Sequence, residues 1–460
     1  MLNGLIKWSI TNRYAVIFMA LLWLGYGLYQ ARQSTVDVFP DFAPIQVTVL
    51  TEAPGFAPEE VESLVTRPLE AGLNGTAQVK VVRSVSTAGL SVININFEDN
   101  TNVFTARQLV MEKLQSSSSQ LPAEAKTPTL APITSATGDI LKIGLISTGK
   151  TSLMDLRTLA DWTIKLRLKA LSGVANVVVI GGDTRQYQIQ VQPEKLKQYG
   201  VTLAQVVEAT GDSNVNAPGG VLRGPESELL IRGLGRVSSV EDIAQSVIIA
   251  RAGSPVLLGN VADIKIAPEF KLGDAIVNGQ PGVVLTVIKQ PWAGTTDTTD
   301  RIERSLAQLK SALPADVQMI TTFRQSDFIE VAIKNVGEAI LIGGVLVVFV
   351  LLLFLQNWRA ALISLVAIPL SLITAVVFLK LQGLTINTMT LGGLAIAIGE
   401  TVDDAIIDVE NIVHRLRDNK ILGYPKSSFR VVFLATSEGG GSVVYGTLIV
   451  AVVFFAVVFL

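Results

Sequence analysis

Residues 395–411 read AIAIGETVDDAIIDVEN, a helix-forming apolar stretch that carries five acids. At about 100° per residue, a helix places all five acids on one face of roughly 160°, opposite isoleucine, valine and alanine. The acids are Glu400, Asp403, Asp404, Asp408 and Glu410. Ionisable groups inside a bilayer are expensive, so they normally face the interior of a helix bundle and mark proton or ion paths. The stretch predicts a membrane helix with a functional acidic face.

The five acids are the candidate proton-relay residues. Asp403 and Asp404 are adjacent, so mutual repulsion opposes ionisation of both, and the pair should titrate as a coupled unit. They lie too far from either end of the helix to reach water without cost. For Asp408 and Glu410 the alternative is a position at the cytoplasmic interface, where an ionised carboxylate costs little free energy. No other predicted span contains lysine or arginine, so we expect the cationic partner to come from elsewhere.

Apolar sequence extends outward from this helix on both sides. Four further stretches lack charged side chains and are long enough to span a bilayer, which takes roughly 20 residues. They are Tyr14–Ala31, Ala339–Asn357, Ala360–Leu379 and Ser442–Leu460. The first could be a signal peptide, but its length and the lack of a small-x-small site favour an uncleaved anchor. The chain is therefore predicted to be an α-helical polytopic membrane protein, multi-pass, with one large extramembrane domain.

Basic residues predict the orientation, because they concentrate on the cytoplasmic side of membrane proteins. Lys7 and Arg13 precede the first span, Arg359 lies between the second and third, and more basic residues follow in 414–430. All three places fall on one side if the N-terminus is inside. The domain between spans one and two is then outside, in the periplasm of an inner-membrane protein. Leu460 would end on that side at the last apolar residue of a helix, and we expect more chain to follow.

The large domain alternates strands and amphipathic helices in a β-α-β-β order that occurs twice. This order predicts two α+β units of the ferredoxin-like kind. Strand Gln186–Val191 is predicted to belong to the second unit. Two short helices and a glycine-rich hairpin at Ala217–Gly224 are predicted to form an insertion. Asp327 is predicted to cap a helix that enters span two. The predicted division is 1–31 (cytoplasmic end and first span), 32–135 (first unit), 136–192 and 270–335 (second unit), 193–269 (insertion) and 336–460 (remaining spans).

Composition excludes several function classes. The chain has no cysteine and one histidine, His414, so the large domain has no thiolate or histidine metal site and no Ser-His-Asp triad. Net charge is −2 and no basic, aromatic-interleaved patch occurs, which argues against nucleic-acid binding. An intramembrane aspartyl protease needs its two acids on different helices, whereas Asp403 and Asp404 share one. We expect no enzyme and no cofactor.

The chain resembles resistance-nodulation-division (RND) permeases, the heavy-metal-efflux branch in particular, over essentially its whole length. The periplasmic resemblance is carried by Asp37-Val38-Phe39-Pro40-Asp41, Gln46-Val47, Ala53-Pro54-Gly55, Pro58-Glu59-Glu60-Val61-Glu62 and Val65-Thr66. The family's fourth-helix signature is carried by Gly399, Val402-Asp403-Asp404-Ala405 and Val409-Glu410-Asn411. The resemblance implies a homotrimer of protomers that each have twelve helices in two repeats, with porter subdomains and a docking insertion outside.

By the same resemblance, Asp403 is the core relay acid, Asp404 matches the second acid of the multidrug branch, and a periplasmic adaptor and an outer-membrane channel are partners. Zinc/cobalt-type members carry an acid where this chain has Ala397, whereas copper/silver-type members lack Glu400 and Asp404, so the substrate and any metal ligands stay open. The relay lysine comes from the family's second half. We therefore expect an N-terminal half-permease; the alternatives are a non-transporting membrane-anchored assembly protein or an inactive fragment.

Overall fold

The computed structural model describes residues 2–34, 36–37, 44–134, 137–215, 217–224, 227–233, 235–251, 254–271, 273–355, 358–423 and 425–458. Long helices occupy both ends of the chain, and strands with short helices occupy the middle. The resemblance motif at 37–41 falls outside the described residues from Val38 onward, as does the chain end at Leu460.

The helices of the first half of the chain are short except near the N-terminus. They are α1 Leu2–Thr11, α2 Arg13–Arg32, α3 Pro58–Val61, α4 Arg67–Leu73, α5 Val103–Ser117, α6 Leu153–Leu159, α7 Lys165–Lys169, α8 Pro193–Tyr199 and α9 Leu203–Asp212. The later ones are α10 Val240–Ala244, α11 Leu258–Val261, α12 Thr295–Leu309, α13 Gln325–Leu355, α14 Trp358–Leu381, α15 Thr388–Ile421 and α16 Ser428–Val458. π-Helical turns Glu62–Thr66 and Ala160–Ile164 join α3 to α4 and α6 to α7.

The strands form antiparallel sheets. They are β1 Gln46–Glu52, β2 Val79–Thr87, β3 Leu90–Phe97, β4 Thr129–Leu130, β5 Asp139–Ser147, β6 Val174–Gly181, β7 Arg185–Val191, β8 Ala217–Arg223 and β9 Glu228–Gly233. The remaining ones are β10 Val247–Arg251, β11 Ser254–Leu257, β12 Ala262–Pro268, β13 Ala275–Val277, β14 Gln280–Lys289 and β15 Val317–Arg324.

The first sheet has four strands in the order β2-β3-β1-β4. This order, with the helical segment 58–73 after β1 and α5 after β3, is the ferredoxin-like arrangement that the sequence predicts. Alternate residues of β1 and β3 are buried because successive side chains of a strand point to opposite faces. Val47, Val49, Ile93 and Ile95 pack on the two helical layers and form one core.

The second sheet repeats this arrangement with strands that are far apart in sequence. β14 lies between β5 and β6, and β15 pairs with the other edge of β5. The helical segment 153–169 and α12 cover its buried face, where Leu145, Ile164, Leu285 and Ile302 share a second core. The unit thus takes its third strand from β14.

The placement of strand Gln186–Val191 in the second unit is wrong. The strand forms, but it pairs over its whole length with β12, from Val191 opposite Ala262 to Arg185 opposite Pro268. Its alternating pattern predicts a strand but does not indicate which strand it pairs with. The partner strand, β12, lies more than 70 residues later in the sequence. Between β7 and β12 the described residues contain four short helices, α8–α11, rather than two, and the hairpin of β8 and β9.

Helix α13 leads directly out of the second sheet, as the sequence predicts, because Gln325 follows the last residue of β15. Asp327 does not cap this helix. Its carboxylate accepts from Arg324 Nη1 at 2.6 Å, and Arg324 also pairs with Glu303 and Glu330. The acid in the first turn therefore binds the neighbouring guanidinium instead of the free backbone N–H groups.

Four described helices are long and apolar enough to cross a membrane: Arg13–Arg32, Gln325–Val350, Ala360–Leu381 and Ser428–Val453. α15 is apolar over Thr388–Ala397 and has 34 residues in total, ending at Ile421. α2 packs on α14 at Gly27, where an added Cβ would lie 1.8 Å from Ile373 Cγ2, and Trp23 Nε1 donates to Thr374 Oγ1 at 2.9 Å.

Candidate proton-relay site

Helix α15 carries the five predicted acids in its middle third. Asn387 caps the helix, since its side-chain oxygen accepts from Thr390 N at 2.9 Å while Thr390 Oγ1 accepts from Asn387 N at 2.8 Å. Asp404 lies 16 residues after Thr388, or about 24 Å along the axis at 1.5 Å per residue. That distance places it at about half the length of the helix, far from both ends.

Asp404 faces helix α16. Its Oδ2 accepts a hydrogen bond from Thr447 Oγ1 at 2.7 Å. Thr447 also lines a cavity of about 350 Å³ between the two helices, together with Glu400, Gly393, Ala397 and neighbouring aliphatic side chains. Thr447 thus contacts Asp404 and shares with Glu400 a cavity large enough for several water molecules.

Asp408 lies one turn farther along the same face. Its Oδ1 is buried, and no donor among the described residues reaches it. Asn411 Nδ2, near Asp408, donates to Ala435 O of α16 at 3.1 Å. A Cβ added to Gly439 would come within 3.2 Å of Asp408 Oδ1 and 3.3 Å of Asn411 Nδ2. The missing side chain at Gly439 thus lets the two helices approach where the acid is buried.

Asp403 and Glu410 complete the predicted set. The backbone of Asp403 is helical, and its side chain lies outside what the structure describes. Glu410 is exposed and lies next to the charged end of the helix, where Arg415 pairs with Glu438 at 2.7 Å and His414 with Asp418 at 3.2 Å. Glu410 thus has the surroundings of an interface acid, whereas Asp408 is packed against α16.

The described acids lie beside groups that can exchange protons. Within the described residues, no ion pair reaches Glu400, Asp404, Asp408 or Glu410, and no group of three histidine, aspartate or glutamate residues could hold a metal ion. A row of carboxyl groups and a hydroxyl beside a cavity can pass protons. Each oxygen can accept a hydrogen bond and, when protonated, can donate one.

A second cavity of about 570 Å³ lies between α13, α14 and α15. Small residues line it, and Gly343, Gly344, Gly392, Ala395 and Gly399 leave the space open. Helix α15 thus has open space on more than one side.

Sequence reasoning missed Thr447 and Gly439. Thr447 lies on α16 in a stretch where only apolar length is visible, and the glycine run that contains Gly439 is visible in the sequence but does not indicate a role. Which helix would pack against the acidic face cannot be read from local periodicity.

The chain matches the family model described as "AcrB/AcrD/AcrF family" over residues 5–460. It is 36% identical over 421 residues to the cation efflux system protein CusA of Escherichia coli, covering 91% of this chain and 40% of that protein. It is 31% identical over 466 residues to the cobalt-zinc-cadmium resistance protein CzcA of Cupriavidus metallidurans, covering 99% and 44%.

A solved structure shares the fold. The crystal structure of a heavy metal efflux pump superposes with a TM-score of 0.82 at 28% identity, covering 96% of this chain and 42% of that one. This chain therefore spans less than half the length of the relatives it matches.

Proposed function

The chain belongs to the AcrB/AcrD/AcrF family of RND permeases, and we propose that it is the N-terminal half of a proton-driven efflux permease. The observation that carries the proposal is the row of Glu400, Asp404 and Asp408 halfway along α15, beside Thr447 and an adjoining cavity. A carboxyl group that takes up a proton on one side and releases it on the other can couple export to the membrane potential. Each charge that crosses gains about 2.3 kcal/mol per 100 mV.

The permease lies in the inner membrane with its N-terminus inside and the 32–335 region in the periplasm. The arrangement of helix ends supports this orientation. α1 contacts α16 near the basic residues 414–430, where Ser437 Oγ donates to Asn3 Oδ1 at 2.8 Å. Asp37 and the sheets lie at the opposite ends of the helices. The two ferredoxin-like sheets correspond to porter subdomains, and the segment between β6 and β13 to a docking insertion.

The exported substrates are metal cations in the first instance, and other small toxic molecules are the alternative. The names of the relatives CusA and CzcA support the cations. The working assembly is a homotrimer of complete protomers, each with a second repeat, joined to a periplasmic adaptor and an outer-membrane channel. The complete permease carries out transport and no catalysis. A non-transporting assembly protein shares the soluble fold but has no need of the acidic row.

The test is export by a permease in which this chain is joined to a second repeat. In a host lacking its own metal pumps, the permease should raise tolerance to one or more of zinc, cobalt, cadmium, copper and silver. Asp403→Asn and Asp404→Asn should each abolish that tolerance at unchanged protein level, because an amide cannot carry the proton. Asp418→Asn is the matched control, since Asp418 pairs with His414 at the exposed end of the same helix.

Energised vesicles give the direct measurement. The wild type should couple entry of protons to export of the cation that gives the largest tolerance. Full export by Asp403→Asn together with Asp404→Asn would refute the proposal.

A further inference from the structure

The segment after α2 contacts the start of the acid-bearing helix. Val36 forms a parallel β-bridge with Ile386, and Asp37 N donates to Ile386 O at 3.0 Å. Ile386 immediately precedes Asn387, the residue that caps α15. A displacement of the α15 N-terminus is therefore passed through the backbone to residues 36–37.

The side chain of Asp37 contacts the second sheet of the soluble part. One carboxylate oxygen accepts from Lys289 Nζ at 3.0 Å, and the other accepts from the hydroxyl of Thr295. Lys289 ends β14, the strand between β5 and β6, and its Nζ also donates to Ala293 O at 2.9 Å. Thr295 begins α12, so the carboxylate lies at a helix N-terminus, where the dipole favours a negative charge.

This contact is buried. The side chain of Lys289 is 4% exposed and that of Asp37 is 14% exposed. A buried ion pair is weak evidence for stability, because apolar residues of similar volume often stabilise a protein as well or better. What such a pair supplies is a fixed geometry, since moving either partner leaves an uncompensated buried charge. The pair thus opposes relative movement of the segments it joins.

We propose that Asp37, Lys289 and Thr295, with the Val36–Ile386 bridge, form a rigid coupling joint that transmits movement of α15 to β14 and α12. These are positioning residues, which touch neither the transported proton nor the substrate. The inference rests on the proposed proton-driven export. It adds that one short segment contacts both the start of the proton-relay helix and the second sheet of the soluble part.

The test measures protons entering per cation exported, in proteoliposomes holding the permease with its second repeat. Lys289→Met should lower export at least tenfold while proton entry falls much less, so that protons per cation rise at least threefold. A merely structural role would reduce the active fraction and lower both fluxes equally. Lys142→Met is the control, because Lys142 lies on β5 of the same sheet in an exposed pair with Asp139 at 3.8 Å.

If Lys289→Met does not reach the membrane, the double variant Asp37→Leu/Lys289→Met removes both charges together and should show the same rise in the ratio. If the number of protons per exported cation is unchanged in the variant that is measured, the proposal of a coupling joint is wrong. Wild-type permease that moves neither protons nor cations would instead overturn the proposed function.

A second measurement leaves the ion pair intact. The chain has no cysteine, so Val36→Cys/Ile386→Cys can form one defined disulfide between paired neighbouring backbones. A joint that stays closed through the cycle should export within twofold of the wild type after oxidation. Loss of export on oxidation that returns on reduction would show that the contact opens, and would overturn the rigid joint. Val36→Cys alone controls for the substitution.

Discussion

Gly439 lies where α16 meets the acidic face of α15, next to two further glycines in the sequence. Glycine in a helix interior costs about 1 kcal/mol relative to alanine, so a run of three needs a physical reason. At Gly439 the reason is close approach, since a Cβ would come within 3.2 Å of Asp408 Oδ1. At Gly441 a Cβ would meet nothing within 4 Å. A side chain at Gly441 therefore changes only helix propensity, whereas a side chain at Gly439 also changes the contact between the two helices.

We expect Gly439→Val to separate α15 from α16 and to impair export. Overpacking typically costs about 1–3 kcal/mol, which should exceed any gain in helix propensity and lower the thermal midpoint of the detergent-solubilised permease. Gly441→Val is the matched control and should leave the midpoint unchanged or slightly raised. Equal effects at both positions would show that the contact at Asp408 is not what keeps glycine at 439.

Part of the candidate site follows from the sequence at this scale. Periodicity places Asp404 and Asp408 on one face, and the structure has both facing α16. The partner Thr447 could not be predicted, because a helix pattern shows which face is polar but not which helix covers it.

Arg324 joins two elements, being the last residue of β15 and the neighbour of the first residue of α13. Its guanidinium contacts carboxylates on both sides of the junction: Glu303 on α12 at 2.9 Å, and Asp327 and Glu330 on α13 at 2.6 and 3.0 Å. The hydrogen bonds that Arg324 donates to Asp327 first, and then to Glu303 and Glu330, raise the pKa of Arg324 above its usual value. The raised pKa reinforces the positive charge that arginine carries in proteins.

We expect Arg324→Gln to loosen the start of α13, because the four carboxylates that pair with Arg324, including Asp300 at 3.7 Å, would then lose their shared cation. The free energy of unfolding of this junction should fall by about 1 kcal/mol or more. Each single pair contributes little, because the carboxylates are partly exposed and solvent screens them. Faster hydrogen exchange at the amides of residues 325–330 would measure it. Lys334→Gln is the control, since Lys334 is exposed and pairs with Glu338 at 3.9 Å. Unchanged exchange in Arg324→Gln would contradict the prediction.

Local signals predict the elements better than their pairing. Proline and acids at Pro58–Glu60 predict the start of a helix, and helical structure follows to Leu73. Asp327 carries the signal of a cap, yet the stronger charge-assisted bond to Arg324 takes its carboxylate. Strand β7 has the right period, but its pairing with β12 is a long-range choice that depends on the whole insertion.

Within the described residues, the second sheet is connected to the long helices both by α13, which runs out of β15, and by the joint of Asp37 with Lys289 and Ile386. One connects through a continuous helix, and the other through a buried ion pair and a backbone bridge. Movements of α13 and of the α15 N-terminus can therefore reach the same sheet independently. The soluble part can therefore respond to the movement of either helix.

At the scale of the whole molecule, the described acids of α15 have no cationic partner within this chain's described residues. A carboxyl group that ionises and reprotonates in each cycle needs a cation or water within reach while it is charged, since an unpaired charge in mid-bilayer costs about 3 kcal/mol by insertion scales. Within the described residues no cation pairs with Glu400, Asp404 or Asp408. The relatives are more than twice as long, and alternating access requires two repeats that move against each other.

We therefore expect residues 1–460 expressed alone to insert into the membrane but to export nothing, and co-expression of the second repeat to restore export. Metal tolerance in a host lacking its own pumps is the measurement, with each half alone and both together. Joining the second repeat to a chain with Asp403→Asn is the control, and should give no tolerance although both repeats are present. Tolerance conferred by residues 1–460 alone at the level of both halves together would mean that identical copies of this repeat move against each other.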